Sequence, residues 1–479
     1  MSFPMIRVRP FASRQSKFSC RMKIPEHERQ YSTPRKRKRT KPFRTLLNAF
    51  TRSPGNPWRN NIMKKFHQFT VLLFTASILL AQNPAVVRNG NKYVFTWSEK
   101  AKVSDIPSQL TMNHLNGDVL IRGYHEESIH YVEKMQINAD SQKEADALWN
   151  EYHLKLEDDE NGYIVNKENK KKWSFGTRNI KVEYIVDVPM MTSIAVNTLG
   201  GDIDISDIQG AVELVSAGGD MRIENTRGRI YAKTYGGDTY VYKLEGKIDI
   251  KSAGGDIEMR DLTGDISVET AGGDILMRDM NGNLDIMTMG GDIELSGMTG
   301  LKTRLTTMGG DIEVEECESK LYIETKGGEI ILRDISGPSK GKTYGGNIEA
   351  KNLNGSTDLK TLGGDIDIFR VLGAVDAETD NGSIRIIKLY SSKFDDHHIY
   401  ATSKNGSITL ELPESVDALF NLTTRGYDNK IKSDFTLEIT RSDPTRKTAS
   451  GKSGKGTHPV EVFVENGSII IHKLNQKTK

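Results

Sequence analysis

The stretch SAGGDIEMRDLTGDISVETAGGDILMRDMNG, Ser252 to Gly282, holds Gly-Gly-Asp twice, 18 residues apart. The same spacing runs through the middle of the chain. The first glycine of each pair falls at 200, 218, 236, 254, 272, 290, 309, 327, 345 and 363, a step of 18 broken once by 19. A second glycine follows ten residues later at 210, 228, 246, 264, 282, 300, 337, 355 and 373, with Ser319 in the remaining place. Each repeat therefore reads as two short strands and two turns. A fixed period this short marks a solenoid, in which each unit hides its apolar face only by stacking on its neighbours.

The columns of the repeat show how it packs. On the first strand Ile257, Ile275, Ile293 and Ile312 align, and two residues further on Met259, Met277, Leu295 and Val314. Mostly polar residues stand between, so one face is buried and the other wet. The second strand repeats the alternation with Ile248 and Ile250, Ile266 and Val268, Leu284 and Ile286. A third inward column runs Ile208, Thr226, Leu244, Leu262, Met280, Met298, Cys317, Ile335, Leu353 and Val371, which makes Cys317 a small core hydrophobe. Before each glycine pair stands a Ser or Thr, from Ser216 to Thr379, suited to hydroxyl-to-hydroxyl bonding along a parallel sheet.

Two irregularities stand out. The extra residue between Gly300 and Gly309 predicts a bulge or bent turn, and GPSKGKTYGG (Gly337 to Gly346) puts Ser339 and Gly341 where other coils have aliphatics, predicting the weakest layer. The open ends of the stack need covers. Residues 88–197 read as the first, with strands around Gln109 to Tyr124 and Ile129 to Ile137 and a helix capped by Ser141 and Glu144. At the far end the tripeptide becomes Asn-Gly-Ser at 381, 405 and 466, and residues 441–458 read as a flexible exposed loop.

Composition agrees with turn-rich β structure: 44 Gly, 14 Pro and 36% hydrophobic residues. The net charge of +2 averages two unlike parts. Residues 1–62 carry 16 Lys and Arg against Glu26 and Glu28 and have no apolar period, so a disordered basic extension is expected. From Met63, two lysines precede the apolar run Thr70 to Ala81, the layout of a signal peptide at 63–81 with translation starting at Met63. The competing readings of the extension are a nucleic-acid or nuclear-localisation patch and an Arg-rich transit peptide. After Ala81 there are 48 basic and 62 acidic residues, a balance near −14 that gives no reason to bind nucleic acid. With Cys20 in the extension and Cys317 alone, no disulfide is expected after Ala81.

Serial Gly-Gly-Asp-Ile and Asn-Gly-Ser-Ile units behind a signal peptide, the opening LNGDVLIRGY (Leu115 to Tyr124) and the closing NGSITLELPESVDALFNLTTRG (Asn405 to Gly426) resemble the bacterial exported family named "putative adhesin". The resemblance covers roughly residues 100 to 472. It implies a β-solenoid at or outside the cell envelope and supplies no catalytic residues.

The aspartates after the glycine pairs are the candidates for chemistry. Stacked about 4.8 Å apart, neighbouring carboxylates repel by about 0.9 kcal/mol at a water-like dielectric and about 3.5 kcal/mol at one near 20. A calcium ladder through Asp256, Asp274 and Asp292 would relieve this. Yet Glu329, Asn347, Ser383, Ser407 and Ser468 share the column, and what nearly all have in common is a short acceptor, as an Asx or Ser turn requires. Asp395-Asp396-His397-His398 reads as a solvated loop rather than a metal site. Outward apolar side chains are the surface clue: Tyr240, Tyr242, Leu276, Ile331 and Phe369 on the first strand, with Tyr235, Met289, Met308, Tyr344 and Leu362 at the turns.

The sequence thus predicts an all-β, single-chain parallel β-solenoid of about 18-residue coils, with an N-terminal mixed α/β cap, regular repeats over 198–383 and C-terminal coils with a β cap over 384–479. The expected role is a non-enzymatic, adhesin-like scaffold, exported to the periplasm, cell surface or exterior, with an unidentified protein or glycan as partner. No cofactor, nucleic acid or membrane span of the mature chain is expected. The alternatives are a carbohydrate-active β-helix (polysaccharide lyase or hydrolase) and a calcium-binding structural repeat.

Overall fold

In the regular coils the alternating pattern becomes one 14-residue strand, bent once: Met221–Thr234, Thr239–Ser252, Ile257–Thr270 and Ile275–Thr288. Successive strands pair in parallel with a constant offset, Ile257 on Ile275 and Thr270 on Thr288. The computed structural model describes residues 83–103, 108–165, 179–441 and 443–474. The basic segment 1–62, the segment 63–81 and Cys20 lie outside these. The described residues form the predicted β-solenoid, and the inward columns of both arms join one core. Ile257, Met259, Leu262, Ile266 and Val268 are all at most 3% exposed, each such burial contributing about 1.5–3 kcal/mol.

The bend between the arms is made by a column that the apolar pattern does not reveal. Asn225, Lys243, Asp261, Asp279, Glu316, Asp334, Asn352 and Arg370 all have φ between 50° and 70°, as does Gly297. A left-handed residue there turns the strand so that the next side chain, such as Leu262, points inward. Asp and Asn accept that conformation more readily than Lys or Arg.

The two glycines of a pair differ. A Cβ on Gly255, whose φ is +79°, would lie 2.0 Å from the carbonyl oxygen of Gly237 one coil away; a Cβ on Gly254 would meet nothing within 4 Å. Close backbone stacking demands the second glycine and not the first. The Ser/Thr column also departs from expectation. Its hydroxyls bond to turn backbone rather than to one another: Thr307 Oγ1 donates to the carbonyl of Gly291 at 3.0 Å and accepts from the N–H of Gly310 at 3.2 Å.

Both ends of the stack are closed by excursions of the chain. The first coil is Gln109–Leu115 and Asp118–Tyr124, which pair in parallel with Ser193–Thr198 and Ile203–Ser206. The strands before this coil and the residues between it and Ser193 together form the cap, so part of the region expected to precede the coils is itself a coil. Within the cap, Lys92–Lys102, Ser128–Asn138 and Ile180–Pro189 pair antiparallel. The helix Gln142–Tyr152 starts as predicted: the Ser141 hydroxyl accepts from the Glu144 N–H and Glu144 reaches back to the Asp140 N–H. Its Trp149 stacks on Phe95 at 5.1 Å. Just beyond it, the buried Glu133 carboxylate accepts from the Leu154 N–H at 3.0 Å and meets His153 Nδ1 at 2.7 Å.

At the other end His458–Asn466 and Ile469–Lys473 return to lie on Ile399–Asn405 and Ile408–Leu412. The segment 441–458, expected as a loop, is largely strand. Arg446–Ser453 pairs antiparallel with Ala418–Arg425 and with Glu438–Arg441. Glycine and lysine content points to mobility there, but the hairpin satisfies the backbone, and its Ala449 is buried. The bulge in the 19-residue coil is where it was expected: the register shifts between Thr299 and Lys302 and leaves Leu301 83% exposed.

The adjacent glycines give a direct test. Gly255→Ala should cost at least about 1–2 kcal/mol from the left-handed conformation alone, and Gly254→Ala should stay within about 0.5 kcal/mol. Urea unfolding of the two variants checks this; equal losses would refute the stacking account.

Candidate functional site

The aspartate column is a ladder between coils. Asp238 Oδ1 accepts the backbone N–H of Asp256 at 2.8 Å, Asp256 that of Asp274 at 2.9 Å, and Asp274 that of Asp292 at 2.8 Å. It begins at Asp118, whose carboxylate takes the N–H of Asp202, 84 residues on. Towards the C-terminus serines continue it: Ser383 and Ser407 accept from Ser407 and Ser468 across 24 and 61 residues. At Glu329 the longer side chain meets the Asn347 amide instead, 3.2 Å away, and Asn347 Oδ1 resumes the series with the Asp365 N–H.

The acceptor expected to close its own turn thus joins one turn to the next. Burial, then the neighbouring carboxylates, raise the pKa of Asp220 and Asp292, while the donated N–H opposes the rise. Among the described residues no group of three or more His, Cys, Asp or Glu is placed to hold a metal ion. Cys317 is buried and free, its thiol pushed up chiefly by burial.

The five first-strand candidates share one face but are not brought together. In register the column reads Arg222, Tyr240, Glu258, Leu276, Glu294, Glu313, Ile331, Glu349, so acids separate the apolar side chains. Tyr240, Tyr242, Leu276, Ile331 and Phe369 are all half-buried among their neighbours. The Arg222 guanidinium lies 5.2 Å from the Tyr242 ring and Arg385 5.3 Å from Phe369. Burial pushes the Tyr242 phenol up to about 12. Cross-strand ion pairs fill the rest, Arg333 with Glu315 at 2.9 Å and Arg385 with Glu411 at 2.6 Å.

A contiguous apolar feature lies instead along the turn edge. Leu199, Ala217, Tyr235, Ala253, Ala271, Met289 and Met308 occupy one position in seven successive coils, about 30 Å in length. Leu199, Tyr235, Met289 and Met308 are 45–56% exposed, and the side-chain-free first glycines run beside them. Lys326 interrupts the edge before Tyr344 and Leu362. The sequence reading named Tyr235, Met289 and Met308 but missed Leu199, and the alanines that join them carry too little signal to be noticed in one repeat.

The Asp-Asp-His-His motif lies where one coil is lengthened. Pairing stops at Val371 with Lys388 and resumes at Val375 with Ile399. The chain between leaves the stack. His398 faces Asp396 at 2.9 Å and Asp376 at 3.4 Å. His397 is buried, Nδ1 2.9 Å from the Leu372 carbonyl and Nε2 3.0 Å from that of Ser391.

Lys388 is fully buried and donates to the carbonyls of Leu372 and Gly373 on the uncovered corner. Burial lowers its pKa to about 7, and burial together with the Lys388 charge lowers that of His397. The Tyr390 ring packs 4.7 Å from His397. Lys388 was missed although its signal was present: Ile384, Ile386 and Lys388 alternate, which puts the lysine on the inward side.

The sequence model of a family described as Toastrack DUF4097 matches residues 109–286 and 239–472, from the first coil to the last. Two solved structures are similar. One, a "putative cell adhesion protein" from Clostridium sporogenes ATCC 15579, is 9% identical and covers 79% of this chain and 99% of its own, with a TM-score of 0.15. The other, a "putative adhesin" from Bacteroides fragilis NCTC 9343, is 14% identical and covers 66% and 95%, also with a TM-score of 0.15. No curated protein matches the chain.

Two outcomes follow from the ladder and the buried lysine. Asp256→Asn keeps the acceptor and removes a repelling charge, so it should leave stability unchanged or raise it; Asp256→Ala should cost about 1–2 kcal/mol in thermal unfolding. Equal effects would show that charge, not the acceptor, matters. For Lys388 the unfolded chain holds more protons between pH about 7 and the ordinary lysine value of 10.5, so this residue makes stability rise with pH over that window. Lys388→Met should lose that increment in urea titrations at pH 6.5 and 9.5, and an unchanged pH slope would contradict the assignment.

Proposed function

The chain belongs to the Toastrack DUF4097 family, and from that premise we propose that it is an exported, non-enzymatic scaffold that binds a partner along the sides of its stack, in the manner of an adhesin. The exposed apolar edge from Leu199 to Met308 carries this reading. A row of uncovered side chains about 30 Å long, on a rigid frame, suits contact with an extended surface. The face bearing Tyr240, Tyr242, Leu276, Ile331 and Phe369 adjoins it and supplies the aromatic and charged contacts that interfaces favour.

Acids that are already engaged within the stack support binding over bond cleavage. The aspartate ladder is occupied by backbone N–H groups, and Glu313 and Glu315 are held by Arg333. No helix among the described residues is long and apolar enough to cross a membrane. Export rests on the segment from Met63 to Ala81, with its two lysines, apolar run and small-residue end.

The purified protein, fluorescently labelled, should bind intact bacterial cells saturably and release no reducing sugar from envelope polysaccharide. Tyr235→Ser/Met289→Ser/Met308→Ser, all at exposed sites, should weaken that binding by about tenfold. Sugar release would favour the β-helix enzyme, and absence of saturable binding would remove the scaffold reading.

A further inference from the structure

Between Ile384 and Ile408 the repeat takes 24 residues in place of 18, and the surplus lies in the excursion 389–398. Its two ends are pinned to the coil before it. The Leu389 N–H donates to the Val371 carbonyl and the His398 carbonyl accepts from the Val375 N–H, both at 2.9 Å. Between these pins the buried His397 ring joins the excursion to the corner, with Nε2 at the Ser391 carbonyl and Nδ1 at that of Leu372. Tyr390 and Phe394 pack about that ring, 4.7 Å and 6.3 Å from its centre.

What His397 meets at the corner is a cation. Lys388 Nζ lies 3.5 Å from its Nδ1 and donates to the same Leu372 carbonyl at 2.7 Å, as well as to that of Gly373. An ammonium has three N–H donors, and a neutral imidazole has one donor and one acceptor. With Lys388 charged and His397 neutral, two ammonium hydrogens go to the carbonyls, the third points to Nδ1, and the Nε2–H goes to Ser391 at 3.0 Å. Every donor then has an acceptor. A second proton, on Nδ1, sets imidazolium against ammonium at the same carbonyl, both shut away from water.

The charges on the surrounding elements do not relieve this. Asp396 attracts the Lys388 charge, but its carboxylate is engaged by the His398 N–H at 3.0 Å and the His398 ring at 2.9 Å. Those bonds hold its pKa below the usual range. Asp376, on the coil before, faces the same His398 ring at 3.4 Å, and Lys393 and Asp395 are exposed. From the C-terminal cap the His458 ring stands edge-on to His397 at 5.1 Å, and its positive charge adds to the repulsion. Asp417 is bonded to the N–H and hydroxyl of Thr457 at 3.0 Å and 2.8 Å.

We propose that residues 389–398 form an acid-released flap: closed, Lys388 and His397 carry no more than one positive charge between them, and the arrival of a second lifts the flap from the corner and uncovers Tyr390 and Phe394. Burial, then the Lys388 charge, depress the pKa of His397, so its contribution to closure is present above the ordinary histidine value of 6.5 and is lost as the pH falls through the lower value of the closed state. Lys388, brought to about 7, is already charged by then. The flap is independent of the scaffold reading, and its failure would leave that reading intact.

The test is hydrogen–deuterium exchange of the whole protein at pH 8 and pH 5, with rates corrected for the intrinsic pH dependence of exchange. It is read in peptides covering 389–398 and, for reference, 257–288. Protection at 389–398 should fall about tenfold or more at pH 5 while the reference peptides keep theirs. His397→Gln, whose amide can still donate to Ser391 and accept from Lys388 but takes up no proton, should hold its protection within about twofold. Lys388→Met should lose the acid step as well, whatever its starting protection, because His397 is then free to protonate between two carbonyls. His398→Gln and His458→Gln should retain the step. Protection that does not change with pH in the parent, a loss shared by 257–288, an acid step that persists in His397→Gln, or one abolished by His458→Gln would each overturn the proposal.

Discussion

Backbone lies on backbone throughout this protein, coil upon coil at the strand spacing of about 4.8 Å. That distance leaves no room for a Cβ on Gly255 or Gly264, where an added carbon would come within 2.0 Å and 1.8 Å of the carbonyl oxygen of the adjacent coil. It also brings the carboxylate of one Gly-Gly-Asp turn within reach of the next turn's N–H. Hydrogen bonding and steric exclusion therefore select the same residues. The repulsion between stacked carboxylates is tolerated because each receives a donor in the same geometry that brings them together.

The same constraint explains how the ends are closed. A parallel stack cannot terminate itself, since its last coil offers a full row of unpaired groups. Here the chain leaves after its first coil, builds antiparallel strands and a helix, and re-enters; near the C-terminus it repeats the manoeuvre with the hairpin containing Arg446–Ser453. Both excursions begin and end on the rung column, at Asp118 and Asp202 and at Ser407 and Ser468. Where the chain departs within the stack, after Lys388, a buried ammonium donor serves the uncovered carbonyls of the corner.

Regularity and recognition divide the molecule between them. Residues that repeat every 18 positions serve packing, while the departures at Leu301, Ser319 and Pro338 fall in three consecutive coils, and a groove opens beside Tyr322 and Pro338. The apolar edge is an intermediate case. Its position repeats without variation but the side chain does not, because a turn exposed to solvent constrains backbone conformation and leaves the side chain free to be Ala, Tyr or Met.

The sequence by itself determined the solenoid, its inward columns, the burial of Cys317, the Ser141 helix cap and the bulge near Leu301. Each is a local or strictly periodic consequence of burial, so Ile257, Met259 and Leu262 announce themselves by spacing alone. It could not distinguish Gly254 from Gly255, or an acceptor closing its own turn from one reaching the next, because those differences depend on the separation and rotation of stacked backbones. The first coil at Asp118 was hidden by the 84 residues before its partner, and the left-handed column at Asp261 by its lack of hydrophobicity. The groove at Tyr322 could be known only from the tertiary structure, since its walls come from coils whose irregularities look unrelated until parallel register places them side by side.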